Sequence, residues 1–230
     1  MRILLSFLLL VLYVNVTFSQ SNVQTDFRSA LGDTGNFGSS FFYNQPSKFI
    51  LGSAYLFDEW TNDAEIQTLT GERFLVRNIN LNISRNAFEA KINDSDSIFS
   101  FNFNNIKQIL INGKSYKNYF FNEDNRVYEL VYAGKSFSIL KGFTVKLVSS
   151  SGNPMMNRSN DKYVKKESYF IRKEDDKLIE SFRLNKRSLN KLFENSTIDI
   201  NRILAYIDSS NLSYKDENDV IKMLEFAFSK

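Results

Sequence analysis

Asn78-Ile79-Asn80-Leu81-Asn82-Ile83-Ser84 alternates polar and apolar residues without a break. A period of two is the period of a β-strand, whose successive side chains point to opposite faces. Ile79, Leu81 and Ile83 therefore share one face and the asparagines the other. The habit continues from about Ala64 to Val148 as a run of short strands rich in Phe and Tyr. Phe99, Phe101 and Phe103 fall on one face of a strand, and Tyr128, Leu130 and Tyr132 alternate with Val127, Glu129 and Val131 in another. Turn chemistry punctuates the run. Asn112-Gly113 is the strongest hairpin signal, because both residues tolerate positive φ. Thr70-Gly71, Arg85-Asn86 and Ala133-Gly134 read as further turns, and Lys141-Gly142 as a bulge or bend. The pattern predicts an antiparallel meander, either an open sheet or a partly closed barrel.

Downstream, Ser168 to Arg172 and Leu178 to Leu184 form one more hairpin across Glu174-Asp175-Asp176, after a Ser/Gly/Asn/Pro loop from Ser149 to about Asp161. The tail then changes period. Ser188 reads as the cap of a helix carrying Leu189, Leu192 and Phe193. Ile200, Ile203, Leu204 and Ile207 have the three-four spacing of a second helix. A third starts near Asp216, with Val220, Met223, Leu224 and Ala227 on one face. None is long enough to persist alone in water, so the tail is expected to dock on the meander; the alternative is a docking module that folds only against another envelope protein. The fold class is α+β, mainly β. The expected organisation is a leader at 1–19, an irregular N-terminal arm at 20–48, a β-meander domain at 49–184 and a helical tail at 185–230.

Residues 1–19 read as a secretory signal peptide. A short positive start at Met1-Arg2 precedes an apolar run from Ile3 to Val14, and Thr17-Phe18-Ser19 offers small residues before a cut that leaves Gln20 first. The alternative is a membrane anchor, for which the run is short. No later stretch reaches membrane length. The arm carries Gly32, Gly35, Gly38 and Pro46 among aromatics without a clean period; its alternative is that Phe41–Tyr43 docks as an edge segment.

Gly52-Ser53-Ala54-Tyr55-Leu56-Phe57-Asp58-Glu59-Trp60 resembles the Gly-Ser-Pro-Tyr-Leu-x-x-Glu-Phe opening of a group of uncharacterised exported proteins of Bacteroidetes-type bacteria. It departs at Ala54, where the group has Pro, and at Trp60, where it has Phe. In that group a β meander and a short helical tail follow, so the resemblance spans roughly Gly52 to Lys230. It implies an architecture and an exported location, with no assigned reaction.

Composition narrows the chemistry. Histidine and cysteine are both absent. That removes the usual proton shuttle, the triad base and the ligands of a structural zinc site. It also removes the cysteine needed for a lipid anchor, and an exported chain without disulfides must rely on its core. Asp58 and Glu59 are the carboxylates to weigh for glycoside hydrolysis, but neighbours in an extended segment point apart. Asp94-Ser95-Asp96-Ser97 has the oxygen spacing of a calcium loop without its glycine or its closing Glu; it reads as a hairpin loop, as do Asn122-Glu123-Asp124-Asn125 and Glu174-Asp175-Asp176. The sequons at Asn82, Asn93, Asn157, Asn195 and Asn211 read as chance products of an Asn-rich chain.

Net charge is +3, too small to imply nucleic acid. Residues 158–191 nevertheless hold eleven Lys/Arg against six acids. The plain reading is the polar face of a hairpin, and the functional one is contact with anionic lipid or polysaccharide. The expectation is therefore an exported cell-envelope protein of binding or structural role, with no catalytic, cofactor-binding or metal site. It lies in the periplasm or at the outer membrane of a Gram-negative bacterium. Its partners are another envelope protein or an anionic envelope surface, without nucleic acid or a transmembrane span. The alternatives are a β-barrel carrier of a small hydrophobic ligand, its cavity lined by Phe99, Phe101 and Tyr128, and a carboxylate-based hydrolase of envelope polysaccharide.

Overall fold

A computed structural model describes residues 25–26, 37–42, 50–92, 97–149, 160–175 and 177–228. The leader, much of the arm, the Asp94-Ser95-Asp96 loop, Asp176 and the centre of the 149–161 loop lie outside the described residues. The strands are β1 (Thr25–Asp26), β2 (Gly38–Phe42), β3 (Ile50–Leu51), β4 (Ala64–Thr68), β5 (Arg73–Val76), β6 (Ile79–Asn82) and β7 (Ala87–Lys91). They continue as β8 (Ser97–Phe101), β9 (Ile106–Ile111), β10 (Lys114–Phe121), β11 (Asp124–Ala133), β12 (Phe137–Val148), β13 (Asp161–Lys173) and β14 (Ile179–Phe182). The helices are α1 (Lys186–Phe193), α2 (Ile200–Ser209) and α3 (Glu217–Phe228).

The fold is mainly β with a C-terminal helical segment. Among the described residues the strands form two sheets and no closed barrel. A ten-stranded sheet runs β1-β5-β4-β9-β10-β11-β12-β13-β14, with β3 also on β13. A four-stranded sheet runs β2-β8-β7-β6. The meander is thus broken in the middle: β6, β7 and β8 leave the large sheet and return at β9. The arm expected to be irregular supplies β1, parallel to β5, and β2, antiparallel to β8.

β12 alone displays the layout. Ile139 packs with the helices, Phe143 packs against the core between the sheets, and Lys141 lies between them. All three share one face by the period of two. The small sheet and the helices therefore cover the same face of the large sheet, side by side. Under the small sheet, Ile66, Val76, Ile109 and Tyr116 meet Ile79, Leu81, Phe88 and Phe99. Under the helices, Phe137, Ile139, Ile171 and Phe182 meet Leu189, Phe193, Ile203, Val220, Met223 and Leu224.

Two local expectations change. The bulge lies in β11, at Val131, where the register slips between Leu130 and Tyr132. It turns both Val131 and Tyr132 toward the helices. Gly142 sits inside an unbroken β12 and serves space instead. A Cβ there would lie 3.0 Å from ring atoms of both Tyr128 and Phe170. The first helix is capped by Asn185, whose side chain accepts from the Ser188 amide; Ser188 is already inside it.

Candidate functional site

The asparagine face of β6 is buried. Residues 54–60 cross it as a strap. The Leu56 amide donates to Leu81 O at 2.8 Å and the Ile83 amide to Ala54 O at 2.9 Å, which closes the open edge of β6. The Asn80 amide group substitutes for backbone: Oδ1 accepts from the Phe57 amide at 3.0 Å and Nδ2 donates to Phe57 O at 2.8 Å. Beneath the strap Glu89 is fully buried. Arg85 Nη2 lies 2.6 Å from its Oε1, and Tyr55 Oη donates to its Oε2 at 2.6 Å. Burial first, then the bond to Glu89, pushes the Tyr55 phenol well above its ordinary range.

A second buried acid lies in the seam between the small sheet and the helices. Glu129 Oε1 is 2.7 Å from Lys114 Nζ and 3.5 Å from Lys141 Nζ. Tyr116 Oη donates to Glu129 Oε2 at 3.4 Å. Lys141 Nζ continues to Glu217 Oε2 of α3 at 2.6 Å, and Tyr169 Oη donates to that same oxygen at 2.8 Å. The chain Tyr116–Glu129–Lys141–Glu217–Tyr169 ties four strands to the last helix. Burial, then the Glu129 charge, raises the Tyr116 phenol. Burial, then the bond to Glu217, raises Tyr169. Burial by itself would lower Lys141, but its bond to Glu217 and the charge of Glu129 outweigh it and hold the ammonium above its ordinary value. Glu89 and Glu129 are thus each held by a cation and a tyrosine, as burying a charge demands. These groups position elements.

The residues singled out in the sequence are not brought together. Asp58 is on the exposed side of the strap, with Lys165 Nζ 3.3 Å away, and Glu59 is exposed beside it. Phe99 and Phe101 belong to the core between the sheets, whereas Tyr128 is on the opposite face of the large sheet. They line no common cavity. Asn122-Glu123 is a two-residue turn between β10 and β11. Glu174 is held low by Arg172, at 2.5 Å, and accepts from Ser138 Oγ at 2.9 Å. The basic stretch disperses: Lys165 holds the strap, Lys173 lies 3.6 Å from Glu180, and Lys186 lies over the Tyr214 ring.

What does assemble is the outer face of the large sheet, opposite the helices. The register Lys117↔Tyr128↔Gly142↔Ser168, Tyr119↔Arg126 and Thr144↔Lys166 places these residues on that one face. So do Lys146↔Val164 and Val148↔Lys162. Tyr128, Leu140 and Ile179 form its apolar floor, with Tyr119, Phe121, Leu130 and Phe170 half-buried around them. Phe121 and Phe170 meet edge to face at 5.6 Å, and Tyr128 and Phe170 at 5.4 Å. Lys117 and Arg126 flank these rings, Lys166, Lys146 and Lys162 follow along the distal β12–β13 ribbon of the same face, and none of the five enters an ion pair among the described residues. Asp124 and Glu174 are the acids on this face, Asp124 by register and Glu174 through Arg172 and Ser138, where it also feels the Lys117 charge.

The sheet also forks here. β11 pairs with β12 only from Tyr128↔Gly142 onward. Beyond that point β11 keeps β10, and β12 keeps β13 as far as Val148↔Lys162. Asn86, at φ 53°, caps the freed edge of β11 from the β6–β7 turn. Its Oδ1 accepts from the Val127 amide at 2.9 Å and its Nδ2 donates to Asn125 O at 2.6 Å. A pocket of about 280 Å³ opens in the fork, lined by Arg126, Tyr128, Gly142, Thr144, Ser168 and Phe170 among others. The sequence search missed Lys117, Arg126 and Lys146 because they lie outside the 158–191 stretch. Register counted outward from the two hairpin turns would have found them. No protein-family model matches this chain, and no curated protein or solved structure matches it either.

Proposed function

We propose that this is an exported, non-catalytic cell-envelope protein that binds an anionic envelope surface through the outer face of its large sheet. The observation that carries the reading is the row of five cations along that face, none in an ion pair among the described residues, beside the half-buried rings of Tyr119, Phe121 and Phe170. Opposed charge draws a polyanion to such a face, and the half-buried rings of Tyr119, Phe121 and Phe170 give it something to rest on. The signal-like start and the likeness of 52–60 to exported proteins support the compartment. The buried acids are spent on holding elements together, which leaves the outer face as the surface with chemistry to offer.

Co-sedimentation of the purified protein with isolated envelopes tests this. Binding should fall as salt is raised to about 0.5 M, where the screening length shrinks to a few ångströms. The double variant Lys146→Glu/Lys166→Glu should abolish it without changing the unfolding midpoint. Binding that ignores both salt and charge reversal would contradict the reading. Mass spectrometry of the envelope fraction should find Gln20 as the first residue; intact Met1 there would contradict export by cleavage.

A further inference from the structure

We infer that the fork between β11 and β12 is a binding pocket for one acidic sugar residue of an anionic polysaccharide, with Arg126 holding its carboxylate. The inference rests on the envelope-binding reading and names the ligand class of the same face.

Size comes first. The pocket holds about 280 Å³, just under the ~300–1,000 Å³ of sites for drug-sized ligands. It suits a single ring, with the rest of a polymer left outside. The fork is open along the sheet, so a chain can enter and leave it.

Chemistry comes second. Half-buried Phe170 supplies apolar ring surface at the wall, and buried Tyr128 backs it edge to face at 5.4 Å; Gly142 lets the two rings lie this close, since a Cβ there would come 3.0 Å from both. A sugar presents one apolar C–H face and a rim of hydroxyls, and hydroxyls ask for both donors and acceptors. Ser168 supplies a hydroxyl that does either, Thr144 supplies one that accepts while it donates to Lys166 O at 3.4 Å, and Asp124 supplies an acceptor. Arg126 is exposed at the rim, and its planar fork matches a carboxylate in two parallel hydrogen bonds. Asp124 on the same wall disfavours a ligand charged all round, such as a nucleotide, and favours one that carries a single acid and several hydroxyls. Asn86 forms the third wall, with its amide engaged to β11. Lys146, Lys162 and Lys166 continue along the distal β12–β13 ribbon on the same face, where further acidic units of a polymer would lie.

Titration calorimetry of the purified protein with a purified oligogalacturonate tests the proposal, with a neutral oligosaccharide of the same length as control. The acidic oligomer should bind and the neutral one should not. Arg126→Gln should weaken the acidic oligomer roughly tenfold or more, since it leaves the ligand's carboxylate unpaired. Thr144→Phe, which fills the fork without changing charge, should do the same. Binding to phosphatidylglycerol vesicles, which sums over the cations of the face, should be abolished by Lys146→Glu/Lys166→Glu and should fall only slightly with Arg126→Gln, which removes one charge of five. If the oligomer binds but ignores both variants and responds only to Lys146→Glu/Lys166→Glu, the pocket is overturned and the charged face stands. Tighter binding of a single-stranded oligonucleotide than of the oligogalacturonate would also overturn the pocket. Failure of envelopes, vesicles and oligomer alike would overturn the envelope-binding reading itself.

Discussion

Asn122 and Glu123 both sit at positive φ, 49° and 64°, in the two-residue turn between β10 and β11. Asn112 and Gly113 do the same, at 51° and 77°, between β9 and β10. Both turns put their two central residues at positive φ, which matches the right-handed twist of the flanking strands and so suits a tight hairpin. The second was legible in the sequence, because Asn-Gly states its conformation locally. The first was not legible as a tight turn, since Glu has no preference for that region and is held there by the long β10–β11 ladder. Glu123→Gly should therefore raise stability by about 0.5–1 kcal/mol. Gly113→Val should cost about 1–2 kcal/mol, and the cost is conformational alone, since a Cβ there meets nothing within 4 Å. Denaturant titration reads both, and a destabilised Glu123→Gly would contradict the account. Gly142 shows the limit of local reading: a glycine needed for space looks the same in sequence as one needed for a bend.

The seam residues give a pH dependence. Tyr116, Tyr169 and Lys141 all hold their protons more tightly in the folded protein than their ordinary values near 10 allow. Above about pH 10 the unfolded chain loses these protons first and gains relative to the folded one. Their contribution is fully present below that pH and is lost as pH rises. Denaturation midpoints should be level from pH 7 to 9 and fall beyond 10, with a shallower fall in Tyr116→Phe. A midpoint that rises above pH 10 would contradict the seam.

At the scale of elements, the helices take their place from caps and from one apolar stripe each. Asn185→Ala should cost about 1 kcal/mol through loss of the bond to the Ser188 amide. Leu224→Asp puts a charge where Val220, Met223 and Ala227 are also buried and should destabilise the whole molecule by several kcal/mol. Thermal unfolding in one step, at a lower temperature, is the expected result; loss of the helices alone, with the sheets intact, is the contrary one. The stripes Ile203/Ile207 and Val220/Met223/Leu224/Ala227 were readable from spacing, because helix periodicity is a property of the segment itself. The burial of Asn80 and Asn82 was not readable. Their cover comes from residues 54–60, and alternation records which face a residue takes, not what lies over it. For the same reason the departure of β6–β8 into a second sheet has no mark in a continuous strand pattern.

At the scale of the molecule, one face of the large sheet is covered twice, by a second sheet and by helices, and its β10–β13 outer face is left to aromatics and cations. That face could not be read from the linear charge count, since residues 158–191 scatter their cations over several surfaces while Lys117, Arg126 and Lys146 join from elsewhere. The central claim is that this outer face is the surface of contact. Hydrogen exchange of the purified protein, with and without envelope material, tests it most directly. The account predicts new protection in peptides spanning 117–130 and 162–172, with the 200–207 and 218–228 amides already protected in the free protein and unchanged. New protection confined to 200–207 and 218–228, in helices that exchange fast when the protein is alone, would contradict it and make the helical tail the interface.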